Sequence, residues 1–283
     1  MGEREQQTVL ITGASRGFGK EAARLLASRG HRVIATMRNL EMLDEVRAGL
    51  EGQIEGLRLD VTDAKSVAAA VGQALARHGA IDAVVNNAGY GLFGPVEDVS
   101  EDEVSRQFNT NVFGTWRVCK ALLPAMRERR EGLIINVSST GGRIAGPLMG
   151  MYSATKYAIE ALTEALRYEL IPYGIRVVCL EPGMYKSDWQ TASLDVAEAV
   201  RAGRSAYAQR VEAQLTAFRA RAQTRPGSFA VAAAIVEIVE HPKPPLRWPV
   251  GEDAMEILPL RLRSSDAEWE ARMTQGPYFQ VKE

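Results

Sequence analysis

Cysteine is scarce in this chain, which has two among its 283 residues, Cys119 and Cys179. The two lie far apart, and each falls within an apolar segment. We therefore expect both to be buried and to act as small hydrophobic residues. No cluster of cysteine, histidine or acidic residues has the spacing of a metal site, so we predict no bound metal.

The chain also has no large excess of positive or negative charge. Lysine and arginine number 34 and aspartate and glutamate 35, for a net charge of −1. Such a balance gives no electrostatic footprint for nucleic acid or an anionic membrane surface. No apolar run is long enough to cross a bilayer, and the polar N-terminus MGEREQQ lacks the apolar core of a signal peptide. We expect a cytoplasmic protein with a small-molecule substrate, no nucleic-acid partner and no membrane span.

What the chain does have is a regular alternation of apolar runs and helical segments. Hydrophobic residues make up 46% of it, which is enough for a substantial core. Strands are predicted at 8–12, 32–37, 55–59, 81–86, 132–138, 175–180 and 246–250, and helices at 18–29, 40–50, 64–78, 101–130 with a break near Pro124, 152–171 and 228–240. The strand runs are continuously apolar, which is typical of parallel strands buried on both faces. The pattern predicts an α/β fold: one Rossmann-type domain over 1–283, a doubly wound parallel sheet with helices on both faces.

Residues 184–225 interrupt this alternation. The segment is helical in composition, with Trp189, Tyr207 and Phe218 spaced along it. We predict that it is a helical lid over a substrate pocket, although Tyr207 and Phe218 suit packing against the core equally well. The residues predicted to bind an apolar substrate are Met184, Tyr185 and Trp189.

A glycine-rich loop lies between the first predicted strand and the first predicted helix. Gly13, Gly17 and Gly19 belong to TGASRGFG at 12–19. Glycines at such a junction permit a tight turn and let the backbone approach a pyrophosphate, which the N-terminus of the helix also attracts. A glycine-rich turn without a ligand is the plain alternative, but the position after a strand and before a helix favours nucleotide binding.

The end of the second strand indicates which dinucleotide is bound. NAD-binding proteins place an acidic residue there, about 20 residues after the glycines, to hold the ribose 2′-hydroxyl. This chain has Met37 followed by Arg38, and Arg16 lies within the glycine loop. Two arginines without a carboxylate suit a 2′-phosphate, so we predict NADP(H) in preference to NAD(H). The alternative is that both arginines are solvated surface residues.

Tyr152 and Lys156 lie four residues apart in the predicted helix MYSATKYAIEAL. That spacing puts both side chains on one face, a turn apart. Because a neighbouring positive charge favours the phenolate, we expect Lys156 to lower the pKa of Tyr152. A tyrosine so placed can donate or accept a proton.

Seven motifs occur in order between residue 8 and about residue 190. They are TGASRGFG at 12–19, LDV at 59–61, NNAG at 86–89, Asn111 in NTNVFG, VSS at 137–139, YSATK at 152–156 and EPG at 181–183. With these motifs the chain resembles the short-chain dehydrogenase/reductase family, in its single-domain division. The segments HRVIATMRN, YAIEALTEALRYEL and PVGEDA most resemble the corresponding segments of relatives that act on steroids and retinoids.

The resemblance implies a role for each matching residue. Tyr152 would exchange the proton, Lys156 would lower its pKa and bind the nicotinamide ribose, Ser139 would hold the substrate oxygen with Ser138 as second choice, and Asn111 would hold a water. The implied cofactor contacts are Gly13, Ser15, Arg16, Gly17, Phe18, Gly19, Arg38, Asp60, Val61, Asn87, Ala88, Gly89, Tyr152, Lys156, Pro182, Gly183 and Ser187. Ser187 stands where the family often has threonine.

The implied activity is NADPH-dependent interconversion of a ketone or aldehyde and an alcohol, on a medium to large apolar substrate. Two alternatives stay open: a catalytically silent NADPH-binding regulator, and an NAD(P)-dependent epimerase or dehydratase. The resemblance also implies a homodimer or homotetramer, formed through the helices at 101–130 and 152–171. The C-terminus departs from the family because it runs on past the last predicted strand as MEILPLRLRSSDAEWEARM.

Overall fold

The fold is built around a parallel β-sheet, seen in a computed structural model that describes residues 6–187 and 192–281. Its strands are β1 (Thr8–Thr12), β2 (Arg32–Met37), β3 (Ile54–Arg58), β4 (Ala83–Asn86), β6 (Gly132–Val137), β7 (Ile175–Pro182) and β9 (Arg247–Val250). They pair in the order β3-β2-β1-β4-β6-β7-β9. The strand order reverses between β1 and β4, and in such sheets a ligand binds beyond the carboxyl ends of the strands at that point.

Helices pack on both faces of the sheet. The helices of the described residues are α1 (Gly17–Ser28), α2 (Leu43–Arg47), α3 (Ala64–His78), α4 (Glu101–Phe108), α5 (Gly114–Arg129), α6 (Gly150–Leu170), α7 (Glu198–Arg201), α8 (Ala208–Gln223), α9 (Phe229–Glu240), α10 (Glu252–Arg263), α11 (Asp266–Met273) and α12 (Pro277–Gln280). No helix in the described part of the chain combines the length and the apolar character needed to span a bilayer.

The core has two layers, one on each side of the sheet. On one side the sheet packs against α1 and α9, through residues such as Leu26 and Ile235. On the other it packs against α3, α5 and α6, through residues such as Leu122. The inner strands, such as β1, β6 and β7, are buried almost throughout, which explains their continuously apolar sequences. The predicted doubly wound sheet is confirmed, and Cys119 and Cys179 are both buried thiols.

The long helix predicted over 101–130 is wrong in one respect. The break lies at Asn109–Phe113, a π-helical turn between α4 and α5, while Pro124 lies inside α5. The wider turn presents the Asn111 side chain to the backbone of Tyr90, where it forms two hydrogen bonds. A π-helical turn inside a helix often marks a functional site.

The segment 184–225 is less helical than its composition predicts. It contains a short strand, β8 (Leu194–Val196), which pairs in parallel with β5 (Gly91–Phe93) outside the main sheet. The following helix α8 buries Val211 against Phe93. Tyr207 joins the same cluster and donates a hydrogen bond from its hydroxyl to Glu97 (2.8 Å). Tyr207 therefore anchors this segment to the rest of the domain.

Candidate active site

Two loops at the carboxyl ends of β1 and β4 are tied together by hydrogen bonds. The backbone N–H groups of Asn87 and Ala88 both donate to the Thr12 hydroxyl at 3.0 Å. The Asn87 side chain donates to the carbonyls of Thr12 (2.9 Å) and Gly13 (3.1 Å). The Asn87 side chain thus holds the NNAG loop against the glycine loop.

The glycine loop needs glycine for conformation and for space. Gly17 has φ +55°, in the left-handed region that favours glycine. Gly19 lies within α1, and a Cβ there would stand 2.6 Å from the Gly13 carbonyl oxygen. Helix α1 therefore starts directly against the loop, with the free N–H groups and positive dipole end of its first turn at the edge of the sheet.

A cavity of about 620 Å³ opens along this edge. The predicted cofactor residues that line it are Gly13, Ser15, Arg16, Gly17, Phe18, Arg38, Asp60, Val61, Asn87, Ala88, Gly89, Tyr152, Lys156 and Ser187. Gly19 lies behind the loop, and Pro182 and Gly183 line a neighbouring cavity. The long shape of this lining, from the end of β2 to Tyr152, suits a dinucleotide.

The same cavity has lining residues that the sequence did not predict as cofactor contacts. They are Met37, Leu59, Thr62, Tyr90, Thr110, Val137, Ser138, Ala192, Ser193, Leu194 and Asp195. Tyr90 directly follows NNAG and could have been found from that motif. Residues 192–195 carry no such signal, because their position depends on the pairing of β8 with β5.

The end of β2 has the charge pattern predicted from the sequence. Met37 is buried with 2% of its surface exposed, so no carboxylate stands there. Arg38 and Asp60 both line the cavity. Burial acts to raise the pKa of Asp60, but hydrogen bonds from Thr62 and the charge of Arg38 outweigh it and lower that pKa. A positive side chain thus lies close to an ionised carboxylate beside the end of β2.

Tyr152, Lys156 and Ser139 come together at the other end of the cavity. Helix α6 carries Tyr152 and Lys156, and the Lys156 Nζ donates to the carbonyl of Val137 (2.8 Å) at the end of β6. This Nζ lies 5.8 Å from the centroid of the Tyr152 ring. The Ser139 hydroxyl accepts a hydrogen bond from the Gly141 N–H (3.0 Å) and also bonds Tyr152.

The protonation of this group differs from the prediction. Burial raises the pKa of Tyr152 to about 12, and the hydrogen bond with Ser139 offsets part of that rise. Burial also lowers the pKa of Lys156 to about 8, against the negative charge of Glu160. The predicted lowering of the pKa of Tyr152 is not seen, because desolvation of the phenolate raises that pKa. Tyr152 is a neutral phenol at pH 7.

Asn111 is buried between α6 and the loop after β4. Its Nδ2 donates to the carbonyl of Tyr90 (2.9 Å) and the hydroxyl of Thr155 (3.0 Å), and its Oδ1 accepts from the Tyr90 N–H (3.0 Å). Both amide donors are therefore used within the protein, while Oδ1 keeps one lone pair. A Cβ on Gly89 would stand 3.1 Å from that oxygen. Asn111 fixes the loop that lines the middle of the cavity.

A buried ionic cluster lies one helical turn beyond Lys156. Glu160 accepts hydrogen bonds from the Cys179 thiol (3.1 Å) and the Arg247 guanidinium (3.1 Å), and Arg143 donates to Glu181 (3.1 Å). Burial and the charge of Glu160 raise the pKa of Glu181 to about 7, against the charge of Arg143. The cluster joins α6, β7 and β9.

A second cavity, of about 290 Å³, adjoins the first. The two share Phe18, Ser138, Tyr152 and Ser187. The predicted substrate residues Ser139, Tyr152, Met184 and Tyr185 line the second cavity, whereas Trp189 lies outside the described residues. Phe218 lines it as well and also packs against the Phe93 ring, with the ring centroids 6.2 Å apart, so it serves both the pocket and the core.

The wall formed by residues 182–185 is held by the C-terminal part of the chain. The Met184 N–H donates to Asp253 Oδ2 (2.9 Å), at the start of α10. A Cβ on Gly183 would stand 2.0 Å from Asp253 Oδ1, so only glycine allows this contact. Tyr185 is 3% exposed and meets the Phe18 ring edge-on, with the ring centroids 6.0 Å apart. Tyr185 is therefore packed into the wall.

The model of the short chain dehydrogenase family matches residues 7–197. The chain is a short-chain dehydrogenase/reductase. As a member of this family it is an NAD(P)-dependent oxidoreductase that acts on alcohol and carbonyl groups. The resemblance drawn from the seven motifs is confirmed.

Individual relatives agree over most of the chain. It is 39% identical to 3-ketodihydrosphingosine reductase of Bacteroides thetaiotaomicron over 248 residues, 87% of this chain and 88% of the relative. A short-chain dehydrogenase from Streptomyces avermitilis has a similar structure, with a TM-score of 0.82, 36% identity and 97% of each chain covered. An alcohol dehydrogenase from Thermococcus sibiricus, solved with 5-hydroxy-NADP, has a TM-score of 0.71 at 27% identity, covering 87% of this chain and 96% of that one.

Proposed function

We propose that this short-chain dehydrogenase/reductase is an NADPH-dependent carbonyl reductase, or the reverse alcohol dehydrogenase, for an uncharged and mainly apolar substrate. The observation that carries the proposal is the meeting of Ser139, Tyr152 and Lys156 where the two cavities adjoin. The larger cavity is the site for the cofactor and the smaller one the site for the substrate. The nicotinamide of the cofactor and the carbonyl group of the substrate would then both lie beside Tyr152.

The residues of the larger cavity fit a nicotinamide dinucleotide. The glycine loop and the first turn of α1 would hold the pyrophosphate, and Asp60 with Arg38 would flank the adenosine. Lys156 would bind the nicotinamide ribose. When bound, the nicotinamide supplies or accepts a hydride, and the protein's task is to orient and polarise.

Proton transfer would fall to Tyr152. During reduction negative charge grows on the carbonyl oxygen, and the neutral phenol can donate a proton there while the Ser139 hydroxyl donates a hydrogen bond. The Lys156 ammonium, held by Val137, stabilises the phenolate that Tyr152 becomes. The hydrogen bond between Ser139 and Tyr152 holds the two hydroxyls next to each other.

We expect the wild-type protein to bind NADPH at least about tenfold more tightly than NADH, because a charge-assisted hydrogen bond from Arg38 contributes about 1.5–3 kcal/mol. The double variant Met37→Asp, Arg38→Ile should reverse this preference by placing a carboxylate against the 2′-position. Calorimetric dissociation constants for both cofactors measure the effect.

Arg32→Ile is the matched control for the cofactor experiment. Arg32 is an exposed arginine at the opposite end of β2, far from the 2′-position. Its removal should leave the ratio of the two dissociation constants unchanged. Equal affinity of the wild-type protein for NADPH and NADH would refute the assignment of Arg38.

The two alternative functions make different predictions for the same site. A silent regulator would bind NADPH without consuming it. An epimerase or dehydratase would return the cofactor to its starting state in each cycle, with no net oxidation. Net oxidation of NADPH by an apolar ketone excludes both, and the presence of Ser139, Tyr152 and Lys156 together favours that outcome.

The lid role of residues 184–225 and the cytoplasmic location stay predictions. The lid is supported by Met184 and Phe218, which lie at the two ends of the segment and both line the smaller cavity. Tyr207 instead anchors the segment to Glu97.

We also propose a homodimer or homotetramer that uses the faces of α5 and α6. Trp116 and Tyr157 are each 46% exposed on these helices, and Tyr168 is 61% exposed. Trp116→Glu with Tyr157→Glu should convert the oligomer to monomer in sedimentation at micromolar concentration. Leu262→Glu, at an exposed apolar residue of α10, should leave the assembly intact. A monomeric wild-type protein would overturn this proposal.

A further inference from the structure

The described residues that line the smaller cavity are all uncharged. Its walls include Met184 after β7, Phe218 on α8, Ile257 on α10 and Met273 on α11, and none of its described lining residues is charged. A carboxylate or phosphate on the substrate would lie there without a counterion, which costs far more than burying an apolar group. The pocket therefore favours an uncharged substrate.

One amide stands in this lining, that of Gln214. Gln214 precedes Phe218 by four residues on α8, so both side chains lie on the face that meets the cavity. The remaining polar side chains of the described lining are hydroxyls, most of them on or near the loop and helix that carry Ser139 and Tyr152. Gln214 is thus a polar group on a different wall from the reacting end.

The orientation of this amide is fixed from outside the pocket. The backbone N–H of Tyr278, in α12, donates to Gln214 Oε1 at 3.2 Å. The Tyr278 carbonyl accepts in turn from Arg210 at 2.9 Å, one turn earlier on α8. A backbone N–H can donate only to the oxygen of a side-chain amide. The Gln214 oxygen therefore faces Tyr278, and the two N–H groups of Nε2 point away from it. Among the described residues, Nε2 has no hydrogen-bond partner.

We propose that Gln214 selects the substrate by donating a hydrogen bond to a second oxygen, remote from the reacting carbonyl. The substrate class is then an uncharged, mainly apolar ketone or alcohol that carries an additional ether, carbonyl or hydroxyl oxygen. This inference rests on the proposed carbonyl reductase function and names the substrate class of that same site.

Selection would arise because the Gln214 amide lacks a hydrogen-bond partner when the substrate has no second oxygen. An apolar analogue would bury the Nε2 donors without a partner, and sites built to hydrogen-bond a substrate group reject analogues that lack it. A hydrogen bond made equally in the ground state and the transition state acts on KM and leaves kcat nearly unchanged. Selection by Gln214 should therefore appear in KM.

The test uses three ketones that share one skeleton: 4-phenylbutan-2-one, 4-(4-methoxyphenyl)butan-2-one and 4-(4-hydroxyphenyl)butan-2-one. For each ketone, one homologue has one carbon fewer between the ring and the carbonyl group, and another has one carbon more. These homologues vary the distance between the reacting carbonyl and the second oxygen. With the chain length that brings the second oxygen to Gln214, the wild-type enzyme should favour the methoxy and hydroxy ketones over the phenyl ketone by about 3- to 10-fold in kcat/KM, through a lower KM.

Gln214→Glu separates recognition from structure. Glutamate keeps an oxygen for the Tyr278 N–H but has no donor, so the advantage of the methoxy ketone should disappear. The hydroxy ketone should keep its advantage because its phenol can donate to the carboxylate. Gln214→Leu should remove both advantages while the phenyl ketone still reacts, which tests the proposal should the glutamate variant fold poorly.

Gln209→Glu is the control, at an exposed glutamine of the same helix, and should preserve the wild-type order. If no ketone oxidises NADPH, the proposed function itself fails. If the phenyl ketone reacts but no chain length favours the methoxy ketone, or if Gln214→Glu retains that preference, the role of Gln214 is overturned and the reductase function stands.

Discussion

Replacing Tyr152 by phenylalanine should reduce kcat for ketone reduction by at least about 10²-fold, the lower range of general acid catalysis, and leave the dissociation constant for NADPH within about twofold. In the proposed mechanism the phenol is the neutral proton donor, and burial, which raises its pKa to about 12, keeps it protonated. Its ring would remain as a wall between the two cavities. Steady-state kinetics with a reactive ketone and calorimetry with NADPH measure the two effects separately.

Tyr157→Phe provides the control for this experiment. Tyr157 lies on the same helix but lines neither cavity, so loss of its hydroxyl should not change either measurement. A Tyr152→Phe enzyme with near-normal kcat would show that another group supplies the proton. In that case the Ser139 hydroxyl, which bonds Tyr152, would be the next residue to replace.

The sequence predicted what depends on local spacing. The i, i+4 pair Tyr152 and Lys156 needs only a helix to bring it together, and the glycines at 13–19 need only a strand before them and a helix after them. Continuous apolar runs predicted the parallel sheet for the same reason, because each strand carries its own burial pattern. These elements are all confirmed.

The sequence did not predict what depends on distant partners. The π-helical turn at Asn109–Phe113 is stabilised by contact of Asn111 with Tyr90, which no local pattern shows. Strand β8 exists because residues 194–196 reach β5, about a hundred residues earlier. Gln214, Ile257 and Met273 meet in one pocket although they lie on three separate helices.

The protonation of the site also required the fold. From the sequence, Lys156 next to Tyr152 predicts a lowered phenol pKa, because charge proximity is all that spacing reveals. The structure adds burial, which raises the pKa of Tyr152 and lowers that of Lys156 to about 8. Desolvation depends on everything that packs around α6, including the cluster of Glu160, Glu181 and Arg247 behind it.

The second large effect is expected at Lys156. Burial lowers the pKa of its ammonium to about 8, so the group is charged below that pH and neutral above it. If the ammonium is what stabilises the Tyr152 phenolate, kcat/KM for NADPH at saturating ketone should fall as pH rises through about 8, by about tenfold per unit. Lys156→Met should reduce kcat by about 10²-fold or more at every pH and weaken NADPH binding, because the proposed mechanism gives this side chain a role towards both the phenol and the ribose.

Lys156→Arg distinguishes charge from position. Arginine stays protonated across this range, so any activity that this variant retains should no longer fall near pH 8. Lys120→Met, at an exposed lysine of α5, should keep both the wild-type rate and the wild-type profile. If Lys156→Arg shows the same fall near pH 8 as the wild-type enzyme, the titrating group lies elsewhere. Lys156 would then act only by its position against Val137, and the ammonium charge would have no part in the chemistry.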